Sequence, residues 1–197
     1  TNEQSRLLNQ IEKEKLNTHI VYGEKEFLEE MAKYPRVEID EETRQMLINM
    51  EKETRLDPND YISKEEIRRH IRIFEEEGVV KIISEKQLVK AKEKYGGAIG
   101  PEEGQYATSK IAALKAIKSS NGSPRELEKR LGLAEGELGE KPALIVPNSI
   151  EFLKYPSGKE LGANEKWGPG AFTSGGLPEV VVNQFAPGEY TVIENIF

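Results

Sequence analysis

Residues 63–83 read SKEEIRRHIRIFEEEGVVKII, and they hold both kinds of secondary structure in one short span. Ser63-Lys64-Glu65-Glu66 has the form of a capping box, in which a serine hydroxyl accepts from the N3 amide and the glutamate reaches back. Ile67, Ile71 and Phe74 follow at helical spacing, and Gly78 ends the run. The β-branched segment 79–83 then reads as a strand. The basic run Arg68-Arg69-His70-Ile71-Arg72 is expected on the solvated face, with His70 among its polar residues. Glu75-Glu76-Glu77 beside it would repel phosphates, which argues against a nucleic-acid-reading helix.

Working outward, Ser84-Glu85-Lys86-Gln87 is a second capping box, with Gly96 closing its helix. Ser123-Pro124-Arg125-Glu126 is a third, with proline at N1 and Gly132 as the stop. Residues 41–55 and 109–119 also read as helices. Further strands are expected at 143–146, 179–185 and 189–196, with a weaker one at 105–108. Ala186-Pro187-Gly188 is expected to join the last two as a hairpin. Strands that cluster late, after mostly helices, predict an α+β fold with a small, mostly antiparallel sheet.

Composition divides the chain near Tyr95. Residues 1–94 hold two of the 17 glycines and two of the 10 prolines; the rest lie in 95–197. The expected organisation is therefore a charged helical segment, 1–94, and a Gly-rich α+β domain, 95–197, which carries the chemistry. The 197 residues suffice to bury a core without cross-links. The net charge of −7 argues against a protein that holds nucleic acid mainly through phosphates. With no cysteine, disulfides and thiolate metal sites are excluded. No apolar run approaches the roughly 18–20 residues that span a bilayer. The first residue, Thr1, is expected of a piece of something longer or of a processed chain.

The most unusual segment is residues 155–179, YPSGKELGANEKWGPGAFTSGGLPE, with six glycines and the only tryptophan. A stretch this long without an apolar period is a functional loop or a disordered one. Trp167 and Phe172 favour an ordered loop anchored on a core. Thr173, Ser174, Gly175 and Gly176 offer hydroxyls and freely approached amides to an anion or a sugar. Glu179, at the start of a strand, is placed to stabilise an oxocarbenium-like centre or to act as a base. The same residues also read as a tight turn and a strand-end surface charge. Asn164 can fix an amide edge or make an Asx turn.

A second Gly-rich stretch, Tyr95-Gly96-Gly97-Ala98-Ile99-Gly100-Pro101, leads through Gln105, Tyr106, Ala107 and Thr108 to a helix N-terminus at Ser109-Lys110. That arrangement can bind phosphate, although it matches neither the P-loop nor the GxGxxG pattern. Thr108 or Ser109 is more simply the N-cap of that helix. The two histidines, His19 and His70, lie in the helical half without a second ligand at metal spacing, so no metal is expected.

The strings Gly104-Gln105-Tyr106-Ala107-Thr108-Ser109, Leu127-Glu128-Lys129-Arg130-Leu131-Gly132-Leu133 and the whole of 155–179 together resemble the C-terminal toxin modules of bacterial polymorphic toxins. These are the variable ends of filamentous-haemagglutinin-like, Rhs-like and phage-associated proteins. The resemblance covers about residues 95–197. It implies a secreted enzyme, delivered to the cytoplasm of a target cell and neutralised by a cognate immunity protein. Two chemistries are usual in such modules: attack on NAD, by hydrolysis or ADP-ribosyl transfer, and cleavage of RNA or DNA. For NAD as substrate, Tyr106 and Trp167 are expected to stack on a ring, Asn164, Gly175 and Gly176 to contact the ligand, and Thr173, Ser174 and Glu179 to act at the reacting centre. Thr173-Ser174 and Glu179 are closer together than the ADP-ribosyltransferase pattern has them, and Arg125 and Arg130, the only arginines of this half, fall on a predicted helix. A ribonuclease is the second expectation, with Lys110, Lys154, Lys159 and Lys166 supplying charge. A non-catalytic binding module is the third.

Overall fold

A computed structural model describes residues 23–197 together with positions 6, 9 and 10. His19 lies outside the described residues. Among the residues from 23 onward, six α-helices are α1 Glu24–Met31, α2 Glu41–Asn49, α3 Lys64–Glu77, α4 Glu85–Lys94, α5 Lys110–Ser119 and α6 Pro124–Leu131. Six strands are β1 Val79–Ile83, β2 Gln105–Ser109, β3 Ala143–Pro147, β4 Leu153–Lys154, β5 Glu179–Val182 and β6 Tyr190–Ile193. The strand order is β4-β5-β2-β1-β3-β6, antiparallel throughout. The fold is α+β.

Serine caps set where the helices begin. Ser84 makes the full box: its hydroxyl accepts from the Gln87 N–H at 3.0 Å, and the Gln87 side chain accepts from the Ser84 N–H at 3.1 Å. Ser63 accepts from the Glu66 N–H at 3.2 Å, but the Glu66 carboxylate takes the Ser63 hydroxyl, at 2.9 Å. Ser109 caps α5 through the Ala112 N–H at 3.0 Å, and Ser123 caps α6 through the Glu126 N–H at 3.2 Å. Gly132 ends α6 at φ 72°, the left-handed conformation a glycine adopts without a Cβ clash.

Strand alternation gives the sheet two apolar faces. On one, Val80, Ile82, Leu144, Val146 and Ile193 pack with Phe27 and Met31 of α1, Ala112, Ala113 and Ala116 of α5, and Leu127 of α6. On the other, Val79, Ile83, Ala107, Ile145, Val180 and Val182 pack with Ile73 and Phe74 of α3 and Leu88 and Ala91 of α4. The compositional boundary at Tyr95 therefore runs through one sheet, because β1 of the charged half sits between β2 and β3 of the Gly-rich half.

The hairpin expected at Ala186-Pro187-Gly188 does not form. β5 pairs with β2 and β4, while β6 is the far edge beside β3. The ladder of β5 stops at Val182 because Asn183 turns its side chain onto the Glu151 N–H, at 2.7 Å, and Phe185 pairs instead with Ile99. The chain then crosses the end of the sheet.

β1 and β2 pair only at Val79–Ser109 and Val80–Thr108. Beyond those two rungs, Lys81, Ile82 and Ile83 pair with β3, and Gln105, Tyr106 and Ala107 pair with β5. The sheet forks there, and the fork positions the site.

Candidate functional site

A cavity of about 200 Å³ opens in the fork. Lys81, Ile82 and Ile83 line it from β1; Gln105, Tyr106 and Thr108 line it from β2; Glu179, Thr173, Glu137 and Gly162 complete it. Thr108 and Glu179 are cross-strand partners, so their side chains leave the same face of the sheet. A recess of about 70 Å³ continues past Tyr106, Thr173 and Glu179 to Asn164, Trp167 and Ser174. On the other side a groove of about 620 Å³ runs past Lys81 and Gln87 to Lys90 and Tyr95.

The electrostatics of the cavity are unusual for a protein surface. Burial, helped by the negative charge of Glu160, pushes the Glu179 carboxyl up to about 8. Burial pulls the Lys81 ammonium down to about 8, against the attraction of Glu137. A carboxylic acid that keeps its proton at neutral pH and an amine that loses it easily thus share one cavity. Burial also opposes ionisation of Glu160. However, the Ser157 and Tyr106 hydroxyls and the Gly158 N–H hold it below the ordinary carboxylate range. The Tyr106 hydroxyl donates to Glu160 at 2.6 Å, and burial plus that charge raise its own pKa far. Tyr106 therefore stays protonated, fixed at the cavity wall.

Two buried groups hold the site in place. His70 is 3% exposed, and its Nε2 lies 2.8 Å from the main-chain carbonyl of Glu179. The imidazole meets Phe74, Tyr155 and Phe172 edge-on. The expectation of a polar-face His70 is thus overturned: Arg68, Arg69 and Arg72 do face solvent, but the ring turns inward under β5. Glu128, 1% exposed, accepts from the N–H groups of Gly136 at 3.1 Å and Leu138 at 2.8 Å. It thereby pins the loop that brings Glu137 to the cavity.

Gln105 is 2% exposed, and its amide N–H groups donate to the carbonyls of Ile99 at 2.9 Å and Asn183 at 3.0 Å. Flipping the amide would leave both carbonyls facing an oxygen, so the orientation is settled by its partners. Its Oε1 is buried with no partner. The amide is pressed on Gly100 so closely that a Cβ there would overlap it.

The segment 155–179 is ordered, and the charged half orders it. Arg44 donates to the Pro169 carbonyl at 3.1 Å. Lys52 donates to those of Leu161 and Ala163, at 2.9 and 3.0 Å, and Arg55 to that of Gly158 at 2.7 Å. Underneath, Tyr155 and Ala171 pack with Ile62, Tyr61 and Val37. Loop carbonyls without a strand partner are answered by side chains from the other half, as buried backbone requires.

The residues read from the sequence divide by role. Glu179, Tyr106 and Thr173 line the cavity, and Ser174, exposed, lines the recess. Thr173 also closes its turn: its hydroxyl donates to the Arg130 carbonyl and accepts from the Leu177 N–H at 3.1 Å. Asn164 makes the Asx turn, accepting from the Lys166 N–H and donating to the Gly132 carbonyl, both at 2.9 Å. Trp167 is not a free stacking platform. The Arg55 guanidinium lies 4.4 Å from its ring centroid, and Gly158 is pressed so close to the ring that no Cβ would fit. Gly175 serves the turn, because a Cβ there would overlap the Lys129 carbonyl and the Arg130 backbone. Gly176 follows at φ 96°.

The second Gly-rich stretch is stitched down rather than open. Tyr190 donates to the Gly97 carbonyl at 2.7 Å and Gln184 to that of Gly100 at 2.8 Å. Arg130 spends its guanidinium on Ser119 and the Glu126 carbonyl, and Arg125 pairs with Glu128. Among the described residues no three acidic or histidine side chains cluster so as to hold a metal, and no helix is long and apolar enough to cross a membrane.

Sequence reading missed Lys81, Gln105, Glu137 and Glu160. Lys81 had a signal: it is the one charge in the apolar strand VVKII, where an unpaired ammonium is costly. The others depend on strand pairing and loop packing. No family model and no curated protein sequence matches this chain.

Proposed function

We propose that the fork cavity binds a nucleotide through its sugar and base, and that the chain cleaves an N-glycosidic bond, with NAD as the best-fitting substrate. The observation that carries this reading is Glu179: a half-buried carboxyl, fixed at its backbone by His70 and flanked by Thr108 and Tyr106. A pyridinium ring entering the cavity brings a positive charge beside that carboxyl and favours its ionisation. The carboxylate then stabilises the cation that develops at the ribose carbon as nicotinamide departs. The electrons of the broken C–N bond leave with nicotinamide. A water attacks the same carbon and gives its proton to Glu179. Attack by a protein side chain in place of water would be ADP-ribosyl transfer.

The biological setting follows from the resemblance: a toxin module, secreted and delivered to a target cell, held inactive by an immunity protein. The deciding experiment follows nicotinamide release from NAD by the purified chain and by Glu179→Gln. Release that falls by about 10²–10⁴-fold in the variant supports the reading. No release by the parent chain overturns it.

A ribonuclease reading rests on a different observation, the presence of Lys81 in the same cavity. A neutral amine can take the proton of a ribose 2′-hydroxyl while protonated Glu179 gives one to the leaving oxygen. RNA cleavage that falls steeply with salt and is lost in Lys81→Met would favour it.

A further inference from the structure

Beyond the recess that holds Trp167 and Ser174 lies a separate pocket of about 350 Å³. Its charged lining is Arg36, Arg44 and Lys166, and no carboxylate lines it. In a chain of net charge −7, three cations around one hollow without an acid is a local reversal of sign. Such a reversal marks where an anion is attracted. The cations come from three places in the sequence: the segment before α2, α2 itself and the Gly-rich loop. The pocket is therefore made by docking the charged half on the loop.

The cations are only partly engaged. Arg44 gives one N–H to the Pro169 carbonyl, and Lys166 gives one to that of Leu133, at 2.9 Å. Arg36 lies 3.8 Å from the Phe172 ring centroid, which holds the guanidinium flat, and reaches the Gly176 carbonyl only at 3.5 Å. Guanidinium and ammonium groups carry more donors than these bonds use. A second observation points the same way. Trp167 lines the pocket, is 8% exposed, and its Nε1–H is buried with no acceptor. A buried donor without an acceptor, on a residue that lines a cationic pocket, is one that an oxyanion can answer. Ser174 lines the same pocket.

We infer that this pocket is a phosphate site, taking the phosphate or diphosphate group of a ligand. Thr173 lines the phosphate pocket, the recess and the fork cavity alike. A ligand held by its phosphates at Arg44 and Lys166 can therefore extend past Thr173 toward Glu179. Only that last point, which makes the phosphates those of the substrate, rests on the proposed function.

The test uses inorganic pyrophosphate and calorimetry on the whole chain at low ionic strength, with three variants. Lys166→Gln removes a cation, Ser174→Glu puts a carboxylate in the pocket, and Lys94→Gln removes an exposed cation elsewhere, on α4. Expected is binding that weakens about tenfold in Lys166→Gln and is lost in Ser174→Glu, at unchanged circular dichroism. Lys94→Gln should bind as the parent does. Absence of binding at millimolar pyrophosphate, or equal binding by Ser174→Glu and Lys94→Gln, overturns the site. Pyrophosphate binding without NAD cleavage would sink the proposed reaction and leave the phosphate site standing; cleavage without pyrophosphate binding would do the reverse.

Discussion

His70 holds Glu179 by its main-chain carbonyl and leaves the carboxyl group free to face the cavity. The imidazole thus positions the first residue of β5 from behind. Burial pulls its pKa down to about 4, against the pull of that carbonyl. Because the folded value lies below the ordinary one, the stabilisation is fully present above about pH 6.5. It is lost as pH falls toward 4, where the unfolded chain binds the proton and the folded chain resists it. Thermal melts of the parent between pH 7 and 4 should therefore fall more steeply than those of His70→Phe. At neutral pH that variant should be less stable by about 1–3 kcal/mol, since the Glu179 carbonyl loses its partner.

Glu179 has the opposite sign. Its folded pKa of about 8 lies above that of the unfolded chain, so the folded state holds the proton more tightly. Stability from this group is complete below about pH 4.5 and declines as pH rises toward 8. Glu179→Gln, which stays neutral, should match the parent near pH 4.5 and melt at higher temperature by pH 8. A parent and variant with parallel melting curves from pH 5 to 8 would show that the carboxyl is ordinarily ionised.

Lys81 carries a similar burden from the other branch of the fork. Its folded pKa of about 8 lies below the ordinary value, so stability rises with pH between about 8 and 10.5. Lys81→Met keeps the length of the side chain and removes the charge, and should raise the melting temperature at pH 7. Retained nicotinamide release in that variant would fit the NAD reading. A gain in stability together with lost RNA cleavage would fit the ribonuclease one.

The Gly-rich loop has its own probe, because Trp167 is the only tryptophan. Arg55→Gln removes both the contact over the indole and the bond to the Gly158 carbonyl. The expected result is a red-shifted, more quenchable tryptophan emission and a loss of about 1–3 kcal/mol. An unchanged spectrum would mean that the loop does not need this clamp.

Gly175→Ala tests the turn on α6. The added methyl would overlap the Lys129 carbonyl, so either the turn lifts or the helix end shifts. Overpacking of this kind costs about 1–3 kcal/mol. A calorimetric melt should show it as roughly 2–4 °C per kcal/mol for a chain of this size.

Local signals were legible in the sequence, and pairings were not. Ser84, Ser109 and Ser123 announce their helices because a cap needs only a hydroxyl and amides two or three residues on. The strand Val79–Ile83 follows from β-branching. The fate of 183–189 could not be read the same way. Ala186-Pro187-Gly188 is good turn chemistry, but where Asn183 and Phe185 find partners depends on Glu151 and Ile99, far away in the chain. The candidate site divides likewise. Glu179 stood out by its place at the head of a strand beside a Gly-rich turn. The aromatic and amide groups near it were read as free, yet Asn164 and Trp167 are already engaged by the protein. Side chains that look available in a loop are often what makes the loop hold one shape.

The order of strands in the sheet also has a consequence for synthesis. Of the strands that wall the fork, β2 is flanked by β5, and β1 is flanked by β3, which needs β6 to cover its edge. A nascent chain that has emerged only as far as residue 170 carries Lys81, Tyr106, Glu160 and β3 but has neither β5 nor β6. The fork cavity therefore cannot exist on a chain that stops before β5, however stable its helices are.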